Sequence, residues 1–340
     1  MFSMNWVTRI LITIVLISTS RAWPEAPQVE ISNGILHVKV YLPDSARGFY
    51  RGTRFDWSGI IADLRYKEHR YYGPWFSKTD PNVRDFIYDG PDIIAGPCSA
   101  ATGPAEEFQP ALGFDEAKSG GTFVKIGVGV LRKPDDQKYG SFRMYELVDG
   151  GTRGVKEGAD FIEFRQEVHD PSSGYGYVYT KTLRLAAGKP ELVIEHTLRN
   201  VGKRTIEGST YNHNFLVLDE QPPAPPLTVT LPFEPKIDGS KNQEFVVAKD
   251  RQIVFLKTLT GKDRVYTPVD GFDGSASSAI NIRIENASTR AGLVISGNRP
   301  LAKMALWAIR TVIAAEPFID YKLVPGEETS WQFKYDYYTF

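Results

Sequence analysis

The stretch Tyr177-Val178-Tyr179-Thr180-Lys181-Thr182-Leu183-Arg184-Leu185 decides the fold. Its odd positions are mostly large and apolar, and its even positions are mostly small or polar. That is period two, the pattern of a strand with one buried face. The next segment repeats it. Leu192, Ile194, His196 and Leu198 share one face, while Glu191, Glu195, Thr197 and Arg199 share the other, with Val193 the exception. Residues 161–169 alternate too, with Glu163, Arg165, Glu167 and His169 on one side. Residues 281–285 and 331–337 carry the same theme. Asp170-Pro171-Ser172-Ser173-Gly174 and Ala186-Ala187-Gly188-Lys189-Pro190 separate these runs. Connections this short favour antiparallel hairpins, because parallel neighbours need longer crossovers. No amphipathic helix longer than two turns stands out. The expectation is an all-β chain, a large antiparallel β-sandwich built as one domain. Gln221-Pro222-Pro223-Ala224-Pro225-Pro226 is expected to be a stiff loop rather than a domain boundary, since similar strand patterns lie on both sides.

Composition agrees with this and excludes several partners. Among 340 residues, 40 Lys and Arg stand against 41 Asp and Glu, a formal charge of −1. Nucleic-acid binders concentrate positive charge, so a phosphate backbone is not expected as a partner, nor is an anionic membrane surface. Hydrophobic residues make up 42 % and charged residues 24 %, which is ordinary globular composition and excludes general disorder. The 17 Tyr, 19 Phe and 6 Trp, set among 30 Gly and 22 Pro, lean toward strands and turns.

The N-terminus reads as an address. Arg9 precedes an apolar run over residues 10–17, broken only by Thr13, and Ser20-Arg21-Ala22 offers a small-x-small site. Residues 1–22 are therefore expected to be a secretory signal peptide cleaved after Ala22, leaving residues 23–340 as the domain. A membrane-spanning helix would need ~20 apolar residues. Cys98 is the only cysteine, so no intramolecular disulfide can form. A lone cysteine in an exported chain suits a bacterial periplasmic or secreted protein. Cys98 itself reads as a small buried hydrophobe.

Common catalytic motifs are missing: no phosphate-cradling Gly-rich loop, no zinc spacing of His or Cys, and no Gly-x-Ser-x-Gly elbow. Five histidines remain. His37 and His169 read as strand and surface residues, and His196, on an apolar strand face, as a satisfied core histidine. His69 lies in Lys67-Glu68-His69-Arg70-Tyr71-Tyr72-Gly73-Pro74-Trp75-Phe76. Charge mixed with rings suits a sugar site, because aromatic rings stack on pyranose C–H faces. A core-plus-surface loop explains that stretch equally well. His213 differs, lying in Tyr211-Asn212-His213-Asn214-Phe215-Leu216-Val217-Leu218 with polar neighbours that can orient an imidazole. Glu316, in Ala314-Ala315-Glu316-Pro317-Phe318, sits among apolar residues, where a carboxylate is costly to bury unless it is paired.

Asn212-His213-Asn214-Phe215-Leu216-Val217-Leu218 resembles the catalytic-His segment of the aldose 1-epimerase (galactose mutarotase) family. Glu316, Pro325-Gly326 and the aromatic residues 331–337 resemble that family's C-terminal layout of a catalytic Glu, a Pro-Gly turn and a last aromatic strand. Arg54, in Gly52-Thr53-Arg54-Phe55-Asp56-Trp57, is similar to its sugar-binding Arg. The resemblance implies a β-supersandwich fold and an isomerase needing no metal or cofactor, with His213 and Glu316 catalytic and Arg54 on the sugar; the ring-rich stretch 67–76 adds His69 and Trp75 as expected sugar contacts. The family's second His has no counterpart; Glu107, in Gly103-Pro104-Ala105-Glu106-Glu107-Phe108, stands at that place. Asp273, with Asp270 beside it, is the nearest match by order for a sugar-binding Asp.

The leading expectation is anomer interconversion of an aldose, with Glu316 and His213 acting from opposite edges of the sugar. The ligand would be a small sugar or an oligosaccharide, with no nucleic acid and, after signal cleavage, no membrane. Two alternatives stay open: a non-catalytic carbohydrate-binding protein, and a polysaccharide lyase or glycoside hydrolase relative on the same scaffold.

Overall fold

The computed structural model describes residues 26–238, 242, 244–276 and 280–340. The expected signal peptide lies outside the described residues. Two large antiparallel sheets carry the fold, as the alternation predicts. In the ten-stranded sheet, Phe161–Asp170, Tyr175–Leu185, Glu191–Asn200 and Glu328–Thr339 are successive neighbours. In the six-stranded sheet, Arg264–Asp270, Lys303–Ile309, Val312–Leu323, Ile206–Phe215 and Gly103–Gln109 follow one another. Smaller sheets flank these, and one of them contains a parallel pair, Lys78–Thr79 with Asp92–Ala95.

The quoted stretch behaves as its period demands. Tyr177, Tyr179, Leu183 and Leu185 are buried, and Arg184 is exposed. Phe161↔Arg184 through Asp170↔Tyr175 pair in one unbroken register across the expected Asp170–Gly174 turn. One apolar core includes Tyr179, Leu183, Ile194, Leu198, Phe333 and Tyr335. A second gathers Phe55, Trp75, Phe215 and Trp307.

Lys181 is the departure. It takes an apolar position of the alternation and is fully buried. Its ammonium bonds the Glu106 carboxylate and the Ser58 carbonyl, and lies 3.8 Å from Asp56. Asn212 Nδ2 donates to Glu106 Oε1 at 3.1 Å and also to the Tyr335 hydroxyl, while Tyr335 donates to Asn214 at 2.9 Å. His196 is a core residue, as expected, with Nδ1 3.0 Å from the Tyr179 hydroxyl and its ring stacked on Trp331. It is only half satisfied, because Nε2 has no hydrogen-bond partner. Burial raises the pKa of Glu106 to about 7; Asp56 adds to this and Lys181 opposes it.

Removing one partner of a buried ion pair strands the other. Lys181→Met should therefore lower the unfolding free energy by about 3–5 kcal/mol in urea titration. Without the lysine the pKa of Glu106 rises further, so the deficit should grow from pH 5 to pH 8. Adding Glu106→Gln should restore part of the loss. A Lys181→Met protein as stable as wild type at pH 8 would show that this pair does not hold the core.

Candidate active site

The site is written in the register of the six-stranded sheet. Ile206–Phe215 pairs with Val312–Leu323 through Tyr211↔Phe318, and beyond a gap through Leu216↔Ile313. The register is the same on both sides of the gap, so His213 lies opposite Glu316. The gap has a local cause, since Pro317 has no N–H to give the ladder. Residues directly opposite share a face. Ala105 flanks His213 on one side, and Ala305 flanks Glu316 on the other. Both neighbours are small, which leaves room above the pair.

His213 Nε2 lies 3.1 Å from Glu316 Oε1. The two residues sequence reasoning ranks first therefore meet. Their placement corrects one expectation: they sit side by side, not on opposite edges of a ligand. Phe215 stacks on the His213 ring at 3.8 Å, and the edges of Phe55 and Trp307 close in at 5.7 and 5.3 Å. This apolar clamp fixes the ring and removes its water. Burial, with help from Arg54, pushes the His213 pKa well below the usual imidazole value, while Glu107 opposes. Burial raises the Glu316 carboxyl to about 7, with Arg54 and Lys303 opposing and Glu107 adding.

The next row of the same face is Glu107, Tyr211, Phe318 and Lys303. Arg54 reaches into it, donating from Nε to Glu107 Oε2 at 2.7 Å and from Nη2 to the Tyr211 hydroxyl at 2.9 Å. Tyr211 donates to the same Glu107 oxygen at 2.6 Å. Burial alone would raise the Glu107 pKa, but Arg54, Lys125 and the Tyr211 hydroxyl outweigh it and hold the group at about 2. Phe55 and Phe142 sandwich the guanidinium at 4.4 and 4.6 Å.

His213, Glu316, Arg54, Glu107, Tyr211, Phe142, Phe215 and Phe318 line a cavity of about 290 Å³, together with Trp75, Asp85, Arg264, Tyr266, Lys303 and Trp307. Arg54, Glu107 and Trp75 join the catalytic candidates there, with distinct tasks. Glu107 is consumed by Arg54 and Tyr211, so it positions the arginine. Trp75 stacks on Phe215 and spends its indole N–H on the Ala101 carbonyl, so it shapes one wall. Two expected binding residues lie elsewhere. His69 pairs with Asp219 at 2.8 Å and is not in the cavity. Alternation and the turn at Gly73 send the rest of that stretch in different directions, with Tyr71 bonded to the Tyr338 carbonyl. Asp273 also lies outside the cavity, where its carboxylate closes a turn by accepting the Ser275 N–H and hydroxyl.

Tyr211 and the residues of the Lys303–Ile309 strand are site members the sequence analysis does not single out. Tyr211 had a signal, since it stands two residues before His213 on a strand. Lys303 and Trp307 had none, because only long-range register brings them to the site.

No family model matches the chain, and neither does any curated protein. Solved structures do match its fold. A galactose mutarotase-like protein from Clostridium acetobutylicum matches with a TM-score of 0.54 at 12 % identity, over 92 % of this chain and 95 % of that one. A galactose mutarotase-like protein from Lactobacillus casei matches with a TM-score of 0.51 at 11 % identity, over 92 % and 100 %. A galactose mutarotase related enzyme from Lactobacillus acidophilus matches with a TM-score of 0.52 at 11 % identity, over 92 % and 97 %. The chain has the galactose mutarotase-like β-supersandwich fold.

Proposed function

We propose that this protein is a carbohydrate-active isomerase that interconverts the anomers of an aldose. The observation that carries this is the His213–Glu316 contact of 3.1 Å at a cavity whose wall combines aromatic rings with Arg54 and other polar side chains. Both oxygens that change protonation in mutarotation, the C1 hydroxyl and the ring oxygen, hang on one carbon. An acid and a base side by side therefore suit the reaction.

The steps balance within the pair. Neutral His213 takes the proton of the C1 hydroxyl, and a C1 carbonyl forms as the bond from C1 to the ring oxygen breaks. That electron pair stays on the ring oxygen, which takes a proton from the Glu316 carboxyl. C1 turns about its bond to C2, and the same transfers in reverse close the ring on the other face. Arg54 keeps Nη1 free of protein acceptors among the described residues and would hold a sugar hydroxyl. A glycoside hydrolase would need a second working carboxyl group; Glu107 is bound to Arg54 and Tyr211, and Asp85, which also lines the cavity, accepts the Ser99 hydroxyl at 2.6 Å. Export through an N-terminal signal, with action in the periplasm or outside the cell, is part of the same proposal and rests on residues 1–22 alone.

The pair must hold one proton to offer an acid and a base together. With His213 pushed far down, that proton leaves as pH passes the Glu316 value of about 7. The enzyme-dependent mutarotation rate, measured by polarimetry after subtracting the uncatalysed rate, should fall above about pH 7. Glu316→Gln and His213→Asn should each lower it by ~10²–10⁴. Unchanged rates in both variants across a sugar panel would overturn the assignment.

Stability provides an independent check. Between its unfolded value of 4.5 and about 7 the folded protein keeps a Glu316 proton that the unfolded chain releases, so stability falls as pH rises through that window. Glu316→Gln removes this penalty. It should be more stable than wild type at pH 8, by on the order of 1–3 kcal/mol, and nearly equal at pH 4.5. A variant less stable than wild type at pH 8 would mean the carboxylate is ionised and well paired.

A further inference from the structure

The face that carries His213 and Glu316 does not end at the cavity. After the row of Glu107, Tyr211 and Phe318 comes Gln109↔Ser209↔Asp320, and after that Glu207↔Lys322. Two strand residues advance about 6.8 Å, so the Ser209 row lies ~13 Å along the sheet from the catalytic row. That exceeds the width of one pyranose ring. These outer rows form an open groove of about 730 Å³, which shares Gln109 and Ser141 with the cavity. The two depressions therefore adjoin.

Their linings differ in kind. Around the catalytic pair the face carries rings, with Phe215 and Trp307 in the row on its far side and Phe318 in the row toward the groove. The groove adds polar and charged side chains, balanced in charge, to Pro110, Tyr139 and Tyr321. Lys322 is paired with Glu207 at 2.8 Å, and Arg299 and Asp320 bring one charge of each sign. Gln109, Ser141 and Ser209 spend no side-chain hydrogen bond on the described residues, so their donors and acceptors are open. Such a surface suits a neutral chain rich in hydroxyl groups. It is a poor match for a polyanion.

We propose that the groove is a binding site for further sugar units, so that the substrate is the reducing end of an oligosaccharide. Its C1 would sit at Glu316 and its next residues along Gln109, Ser209 and Asp320. This rests on the mutarotase assignment of the cavity, and the test separates the two.

The experiment compares each aldohexose with its di- and tetrasaccharides, measuring reducing-end mutarotation by wild type and calorimetric binding to Glu316→Gln. The expected result is a kcat/KM at least tenfold higher for the tetrasaccharide than for the monosaccharide, with a matching gain in affinity. Ser209→Trp, which fills the groove from a strand position that tolerates aromatics, should bring both ratios near one. Asp320→Trp, from the neighbouring strand, repeats the block should Ser209→Trp fail to fold. Mutarotation of monosaccharides with no gain on lengthening would overturn the groove and leave the cavity assignment standing. A gain that survives both blocks would overturn it as well. A length-dependent affinity with no mutarotation of any sugar would support the groove and remove the isomerase.

Discussion

A strand offers only alternate residues to each face, and the strand Ile206–Phe215 uses both sets. Asn212 and Asn214 turn inward, where they bond Glu106, Tyr335 and the Ala315 carbonyl. Tyr211, His213 and Phe215 turn outward to the cavity. A slip of one residue would exchange the sets, setting amides on the cavity wall and an imidazole and a phenol among buried charges. The inner bonds penalise any such slip, because each would leave a buried polar group without a partner. The core network and the candidate catalytic row thus share one register, and the requirement to satisfy the first places the second.

The two carboxylates on that face show how position sets chemistry. Glu107 and Glu316 are both buried and both near Arg54, yet one is held at about 2 and the other is raised to about 7. Contact makes the difference. Arg54 and Tyr211 bond Glu107 directly, whereas Glu316 faces a neutral imidazole and rings. The arginine spends its strongest hydrogen bond on one acid and leaves the other able to hold a proton near neutrality, the division of labour that proton transfer requires.

Much of this was legible in the chain. The alternation in 177–185 and 191–199 reports half-buried strands, and short turns report antiparallel pairing. His213 between asparagines and Glu316 among alanines each carry a local sign of unusual environment. Lys181 shows where the pattern breaks: one charge at an apolar position marks a buried ion pair, but its partner Glu106 is 75 residues away in the sequence. His69 and Asp273 were drawn toward the site by composition and order, which carry no information on direction. The site's other walls come from pairings such as Ala305↔Glu316, which exist only once the sheet has closed.

Phe142 lies between the strands Gly129–Arg132 and Glu146–Asp149, yet its ring covers the Arg54 guanidinium. The connecting segment is therefore part of the electrostatics of the cavity. Were it drawn aside, water would reach the guanidinium and its field at Glu316 would be screened. The ring over the guanidinium thus also bears on how tightly the carboxyl holds its proton.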